Sequence, residues 1–226
     1  DGDAAPVPVS LTLDGSGMKA GSAWLRLQGR HAGLAVEVTY RLGSQRSWAD
    51  LSYRLTATDG KPHTLKAFYG PWLWAGEGGF GAAQDRALFP GVEWLVSGER
   101  SSSTLDIAPP HHVRFAPHPN WVTVPSMAVQ QGGALVGLMW DPLQKWDGTQ
   151  TRPGADFASP NFVEDRDNHL LGLFLPALPD YVEPNTLLAK QPYALKPGGA
   201  LTLLASLLVR GRSDVTDATL AWYERF

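Results

Sequence analysis

Tryptophan is the residue type in this sequence that most strongly suggests a chemistry. Nine tryptophans occur among 226 residues, and an indole ring packs against the C–H face of a pyranose while its N–H donates to a hydroxyl. Trp72, Trp74 and Phe80 lie in a glycine-rich stretch where a bulky ring has less core to enter, and Trp140 and Trp146 bracket a turn. These five aromatic residues are therefore the candidates for stacking on a sugar ring.

Tryptophan also fills the cores of large β domains, so each of these residues has a structural alternative. Trp24 and Trp48 lie inside runs that alternate between apolar and polar residues, which predicts that they belong to the core. For Trp72, Trp74 and Trp146 the sequence leaves both interpretations open, a ring face for a ligand and a core filler.

Two aspartates lie in the most unusual local sequence. An apolar run ends in Trp-Asp-Pro at 140–142, and Trp-Asp-Gly follows at 146–148. Asp141 and Asp147 are each well placed to cap the turn that they open. Alternatively, they accept sugar hydroxyls beside a stacked tryptophan. The two carboxylates also suggest calcium, although calcium requires several further oxygen ligands, and no other cofactor or metal is expected.

Residues with acid–base chemistry supply candidates for catalysis. These candidates are Glu99, Asp141, Asp147, His118 and His169. Glycoside hydrolysis requires two carboxyls that face one substrate, about 5 to 9 Å apart. A hairpin around a Ser97-Gly98 turn would place Glu93 and Glu99 on opposite faces, which argues against that pair. The sequence also lacks a nucleophile elbow and a phosphate-binding glycine loop.

The composition excludes several other functions. The formal net charge is −3 and no lysine- or arginine-rich run occurs, so nucleic acid is not an expected partner. Cysteine is absent, which removes disulfides and thiolate chemistry. No stretch approaches the roughly 20 apolar residues of a membrane span, so no membrane partner is expected either. The partner that the aromatic residues indicate is an oligosaccharide or a polysaccharide.

Alternation of apolar and polar residues predicts that β-strands position these side chains. The alternating runs are 7–13, 34–40, 48–58 and the beginning of another at 121–124. This period of two is typical of half-buried strands.

Three later segments are almost continuously apolar. Residues 135–140, 170–175 and 201–209 are therefore predicted to be central strands that are covered on both faces. Such strands require a second layer, so the sequence predicts an all-β protein, a large antiparallel β-sandwich. The segments 70–83 and 141–166 are predicted to be long irregular loops, and loops of this length are often functional.

The C-terminal residues are predicted to leave the sandwich. Residues 213–226 begin with Ser-Asp-Val-Thr-Asp, which is typical of a helix N-terminus, and continue as an amphipathic helix with Leu220, Trp222 and Tyr223 as apolar positions. We therefore expect a sandwich domain over residues 1–212 and, over 213–226, the start of a helix that links to a following domain. A short helix that closes the sandwich is the alternative.

Together these features resemble the galactose-mutarotase-like supersandwich domains, which occur in aldose epimerases and as β domains in many glycoside hydrolases and polysaccharide lyases. The resemblance rests on the length, on the many antiparallel strands, and on residues 193–199 (Tyr-Ala-Leu-Lys-Pro-Gly-Gly) that lead into the apolar run 201–209. The helix start after Ser213 is similar to chains in which a helical toroid follows the sandwich. Epimerases of this family use a histidine acid and a glutamate base, and neither maps onto a matching motif here.

The aromatic residues and the resemblance imply a role in carbohydrate recognition. We expect a non-catalytic carbohydrate-binding or accessory domain of an extracellular or periplasmic polysaccharide-active protein. One alternative is a glycoside hydrolase, lyase or epimerase in which two of the acid–base candidates converge in a pocket. The other is a structural domain that packs on a helical catalytic domain and exposes an apolar patch near its C-terminus.

Overall fold

A computed structural model describes residues 6–76, 83–101, 116–160, 166–176 and 192–226 of the chain. The strands in these residues are β1 (Thr12–Lys19), β2 (Ser22–His31), β3 (Leu34–Gly43), β4 (Trp48–Ala57), β5 (His63–Leu65), β6 (Phe68–Ala75), β7 (Arg86–Phe89), β8 (Glu93–Val96), β9 (Ser126–Gln131), β10 (Ala134–Met139), β11 (Gly154–Ala158), β12 (His169–Leu175), β13 (Tyr193–Leu195) and β14 (Ala200–Gly211). The helix in these residues is α1 (Thr216–Arg225).

The large sheet contains nine strands in the order β1-β2-β3-β4-β14-β10-β9-β7-β8. The strands β1 to β4 follow one another as antiparallel neighbours, and β14 returns from the end of the chain to pair with both β4 and β10. The register places Leu203 opposite Tyr53 and Leu138 opposite Leu207. The late apolar strand therefore joins the two halves of the sheet.

The small sheet contains three strands in the order β11-β12-β6 and lies over one face of the large sheet. Ala155, Phe157, Leu171 and Leu173 of the small sheet belong to the same buried cluster as core residues of the large sheet such as Leu203. All residues of the central strand β12 are buried. The main core thus lies between the two sheets, and the predicted all-β sandwich is confirmed.

The helix α1 packs on the other face of the large sheet. Val215, Ala218 and Ala221 contact apolar residues of β9, β10 and β14, among them Met139. The helix approaches the sheet closely because the side chains at the contact are small. The Ala218 Cβ lies so near Gly137 that a Cβ added at Gly137 would be only 3.3 Å from it. No helix in the described part of the chain is long and apolar enough to span a bilayer.

Most strand predictions are confirmed. The alternating runs 34–40 and 48–58 lie in β3 and β4, and the apolar runs lie in β10, β12 and β14. The expectation that β14 is covered on both faces is wrong, because Leu204 and Val209 are exposed. The predicted helix is also present, but Leu220 and Tyr223 are exposed and the alanines face the sheet.

Four local predictions are wrong. The run 7–13 is not a strand, since β1 begins only at Thr12, and 121–124 is not a strand because β9 begins after Pro125, whose ring nitrogen has no hydrogen to donate. The segments 70–83 and 141–166 were expected to be irregular, yet they contain most of β6 and all of β11. Both strands are short or interrupted by glycine and proline, which hides their period in the sequence.

Candidate functional site

A cleft of about 480 Å³ opens where strand ends from the two sheets meet. Its lining residues are Pro119, Asn120, Val122, Thr123, Pro125, Trp140, Pro142, Leu143, Arg152, Pro153, Ala155 and Trp222. They come from the segments before β9 and β11, from β11 itself, from the segment after β10, and from α1. The size is within the range of small-molecule sites, roughly 300 to 1,000 Å³.

Prolines at strand ends shape the walls of this cleft. Pro125 directly precedes β9 and Pro153 directly precedes β11, while Pro142 lies just beyond the end of β10. Proline cannot donate to a strand ladder, so it marks the point where pairing begins or stops. The ends of three strands therefore leave space between the sheets instead of continuing the ladder.

Two tryptophans form the aromatic part of the wall. Trp140 is buried and its ring packs edge-on against Phe89, with 6.4 Å between ring centroids. The indole N–H of Trp222 donates to the Trp140 carbonyl oxygen over 2.8 Å. This bond ties α1 to the end of β10, so the wall is held by the tertiary structure.

Polar side chains also reach the cleft. Asn120, Thr123 and Arg152 line it, and the segment that carries the first two is fixed by backbone bonds from Trp121 N to His118 O (2.9 Å) and from Thr123 N to Pro90 O (3.0 Å). Arg152 N donates to Pro142 O over 2.9 Å. None of the lining residues in the described segments carries a carboxylate. The arrangement can hold a ligand by apolar contact and by hydrogen bonds, and a pair of carboxyls of the kind used in glycoside hydrolysis is not found among its described lining residues.

A second region lies on the face of the small sheet that points away from the main core. Asp156 of β11 is opposite Gly172 of β12, which is opposite Trp72 of β6. The Trp72 ring lies over Gly172, where an added Cβ would be 2.5 Å from a ring carbon. Tyr69 packs edge-on against Trp72, with 4.9 Å between the ring centroids. An aromatic layer therefore lies on the sheet face that carries the Asp156 side chain.

Asp156 is fully buried, and neither carboxyl oxygen has a hydrogen-bond partner among the residues that the structure describes. Burial raises the pKa of Asp156 well above its usual value, because a charge is poorly stabilised in a dry interior. The pKa of Tyr69 is also raised, first by burial and then by the nearby Asp156 charge. A ligand in solvent does not reach this carboxyl, so the cleft is the stronger candidate site.

The structure separates the predicted aromatic residues. Trp72 is half-buried on the small sheet, and Trp74 is exposed with the Arg166 guanidinium 4.1 Å from its ring centroid. Phe80 lies outside the described residues. Trp140 and Trp146 are buried, so neither is an exposed platform for a sugar ring; Trp140 contributes only as part of the cleft wall.

Both predicted aspartates cap turns. The Asp141 carboxylate accepts from Leu143 N over 2.8 Å. Asp147 accepts from Thr149 N (2.8 Å), Gln150 N (2.6 Å) and the Tyr193 hydroxyl (3.0 Å). Burial opposes the Asp147 charge, but these bonds outweigh it and lower the pKa of Asp147.

The remaining acid–base candidates, Glu99, His118 and His169, each have different hydrogen-bond partners. Glu99 accepts from Val96 N over 2.8 Å and closes the turn after β8. His118 Nδ1 accepts from Asn120 N over 3.1 Å beside the cleft, whereas His169 is buried with Nδ1 2.8 Å from the Ser159 hydroxyl. Among the described residues, no group of three or more histidine, aspartate or glutamate side chains is arranged to hold a metal.

The turn around Ser97 occurs as predicted, but its partner strand differs. Ser97 and Gly98 both have positive φ, and Glu99 N donates to Val96 O over 3.1 Å. However, β8 pairs with β7, and Glu99–Ser101 is not a strand. The Ser101 hydroxyl donates to the Glu93 carboxylate.

Sequence reasoning missed Asn120, Thr123, Arg152 and Trp222 as cleft residues and Asp156 as a buried acid. No local pattern brings the first four together, because Asn120 and Thr123 share one segment while Arg152 and Trp222 come from two others much further along the chain. Asp156 does carry a local signal, since it is one acid within the otherwise apolar run Gly154–Ala158. That signal was lost because β11 was taken for part of a loop.

No family model and no curated protein matches this sequence. Solved structures do match. A TPR-domain containing protein from Parabacteroides distasonis is 10% identical with a TM-score of 0.51, and the match covers 92% of this chain and 36% of that one. A galactose mutarotase-like protein from Clostridium acetobutylicum is 10% identical with a TM-score of 0.48, covering 89% of this chain and 66% of that one.

A putative aldose 1-epimerase from Klebsiella pneumoniae is 13% identical with a TM-score of 0.44, and the match covers 92% of this chain and 56% of that one. The chain thus spans about one to two thirds of the length of these matched proteins. Identities this low show likeness of fold alone. The solved structures that match thus include galactose mutarotase-like and aldose 1-epimerase proteins, the group that the sequence resembles, and this chain is similar to them at low identity.

Proposed function

We propose that the chain is a non-catalytic carbohydrate-binding domain of an extracellular or periplasmic polysaccharide-active protein, and that it holds a saccharide in the cleft between its two sheets. The observation that carries this proposal is the cleft itself. Its walls are mainly proline and tryptophan, and Asn120, Thr123 and Arg152 supply the polar groups. Apolar walls with a few placed polar groups suit a sugar, whose rings have both apolar C–H faces and hydroxyl edges.

Trp121 is the exposed indole that lies closest to the cleft in the sequence. It stands between the lining residues Asn120 and Val122 in the sequence and is 40% exposed, but it is not itself among the lining residues. The buried Trp140 and Trp146 cannot serve as open platforms. On its exposure and its position in the sequence, we propose Trp121 in place of those two residues as the stacking residue, while Trp74 remains an exposed candidate at a different site.

A binding role is supported over a hydrolytic one by the chemistry of the cleft. Its described lining residues include no carboxylate, and the nearby Asp141 is engaged by Leu143 N. Glycoside hydrolysis by the usual route needs two carboxyls on either side of the bond to be broken.

Isothermal titration calorimetry against a panel of neutral and acidic oligosaccharides tests the proposal. We expect saturable binding of at least one of them, and we expect Trp121→Ala to weaken it about tenfold, as the loss of roughly 1.4 kcal/mol of stacking requires. Trp94→Ala is the matched control, because Trp94 is 49% exposed but lies on the edge strand β8. Absence of binding across the panel, or equal losses in the two variants, would overturn the proposed site.

A second candidate function is a structural domain that packs on another domain. It is favoured by the outer side of α1, where Leu220, Tyr223 and Phe226 are exposed. Contiguous exposed apolar side chains often mark contact surfaces. Hydroxyl-radical footprinting of the protein isolated from its source would test it: protection of Tyr223 supports a covered surface, and full labelling contradicts one.

A further inference from the structure

Among the described residues that line the cleft, one is ionisable, and it is Arg152. Its guanidinium makes no hydrogen bond or ion pair with any residue that the structure describes, whereas Arg26, Arg46, Arg86 and Arg225 each pair with an aspartate. Arg152 places a formal positive charge at the wall of the cleft, and none of the described lining residues carries a carboxylate. The cleft is therefore suited to a ligand with a negative charge.

The acids that are nearest along the chain are engaged elsewhere. Asp141 accepts from Leu143 N, and Asp147 accepts from Thr149, Gln150 and Tyr193. Asp156 alternates with Ala155, which lines the cleft, so its side chain points to the opposite face of β11. Among the described residues, none of these three carboxylates forms an ion pair with Arg152.

The backbone around Arg152 is fixed. Arg152 N donates to Pro142 O over 2.9 Å, and the indole N–H of the buried Trp146 donates to Thr151 O over 3.3 Å. Because the Arg152 N–H and the adjoining Thr151 carbonyl are both held, the side chain starts from a fixed backbone. A fixed backbone lowers the conformational entropy that a ligand must remove on binding.

We infer that the ligand of the cleft is an acidic saccharide, whose anionic group pairs with the Arg152 guanidinium while its ring contacts the proline and tryptophan walls. The inference rests on the proposed function and names its substrate class. A uronate carboxylate is the preferred form of this group, because a planar carboxylate matches the guanidinium fork with two parallel hydrogen bonds. A sulfate ester is also an anion that can pair with a guanidinium, and the experiment below distinguishes it from a uronate.

The experiment compares three short oligosaccharides of the same backbone by calorimetry: the uronate form, its carboxyl-reduced neutral form and a sulfated neutral form. We expect the uronate form to bind at least tenfold more tightly than the reduced form, which corresponds to about 1.4 kcal/mol. We also expect this preference to shrink as salt is raised, since a partly exposed ion pair is screened. Preferential binding of the sulfated form would overturn the assignment to a uronate.

The variants are Arg152→Asn and Arg152→Lys. Asn removes the charge and tolerates the positive φ of 63° at this position, so the variant is expected to fold. It should lose the preference for the uronate, and Lys should retain part of it, since an ammonium keeps the charge without the fork. Arg212→Asn is the matched control, because Arg212 is an exposed arginine with a φ of 55° at the end of β14, outside the cleft.

The outcomes separate the two proposals. If the uronate and reduced forms bind equally, or if Arg152→Asn keeps the preference, the inference about acidic saccharides is wrong while the binding site stands. If none of the three forms binds the wild-type protein and no other member of the neutral and acidic panel binds, the proposed function itself fails.

Discussion

Arg152 and Asp156 are four residues apart on the same stretch of chain, yet their surroundings are opposite. Arg152 lies at the exposed wall of the cleft, where water and a ligand reach it. Asp156 is fully buried on the second face of the small sheet, near the rings of Trp72 and Tyr69. One region can use a charge for binding, and in the other burial favours the neutral acid.

The difference shows why the cleft and the aromatic layer are expected to respond differently to mutation. An exposed arginine keeps its hydration, so its replacement costs little stability. A buried carboxyl without hydrogen bonds has lost its hydration, and no protein group replaces it. If such a carboxyl is charged, it lowers the stability of the folded state by several kcal/mol. Changes in the aromatic layer should therefore alter folding stability, whereas changes at Arg152 should alter binding.

The largest expected effect is that of Gly172→Ala in the aromatic layer. The new methyl group would lie 2.5 Å from the Trp72 ring, so the ring or the strand must move. We expect the free energy of unfolding to fall by about 3 kcal/mol, the upper part of the range for overpacked cores. Urea denaturation measures it. Gly211→Ala is the control, since nothing lies within 4 Å of its Cβ position; equal effects in both variants would show that Trp72 is not fixed by packing.

A pH effect is expected at Asp156. The folded pKa of this carboxyl is raised above its unfolded value, so the folded state binds more protons, and the stability contributed by the protonated form is lost as pH rises from about 4 through the folded pKa. The slope reaches at most about 1.4 kcal/mol per pH unit. Asp156→Asn should remove this part of the pH dependence, as urea titrations between acid and neutral pH would measure.

Asp147→Asn is the comparison variant, because Asp147 is expected to change stability with pH in the opposite direction to Asp156. The pKa of Asp147 is lowered by hydrogen bonds that outweigh burial, so its contribution to stability is present at neutral pH and is lost as pH falls. If Asp156→Asn leaves the pH dependence unchanged, the carboxyl is not confined to a dry interior and the contrast between the two regions fails.

The smallest expected effect is that of Arg152→Gly on stability. Glycine relieves the positive φ of 63° but adds entropy to the unfolded chain, and these contributions of about 1 kcal/mol each nearly cancel. We expect the free energy of unfolding to stay within about 0.5 kcal/mol of the wild-type value. A loss above about 1.5 kcal/mol in thermal or urea unfolding would show that the Arg152 side chain supports the fold and is not reserved for a ligand.

The sequence predicted the strands with a clear period. The runs 34–40 and 48–58 alternate because each strand has one buried face, and the run 170–175 is apolar throughout because β12 is buried on both faces. β6 and β11 were missed. β6 contains Gly70 and Pro71, and β11 is short with an acid at its centre, so neither shows a simple period.

The candidate site was less accessible to sequence reasoning. Trp140 is a predicted sugar-stacking residue, but it is buried, with Phe89 and Trp222, which are 51 and 82 residues away, as partners. Trp146 is buried beside Tyr193, which β13 and β14 bring into place from the end of the chain. A residue's exposure in a loop depends on such partners, and local sequence does not specify them.

By itself the sequence determined the all-β class, the main strands, the C-terminal helix and the lack of thiol chemistry, because composition and a period of two are local properties. Only the tertiary structure decided that the ends of β9, β10 and β11 leave a cleft, that Arg152 lies in it without a carboxylate, and that Asp156 is buried. The physical reason is that burial, electrostatic potential and pKa depend on which distant segments pack together, and that packing is set by the whole sandwich.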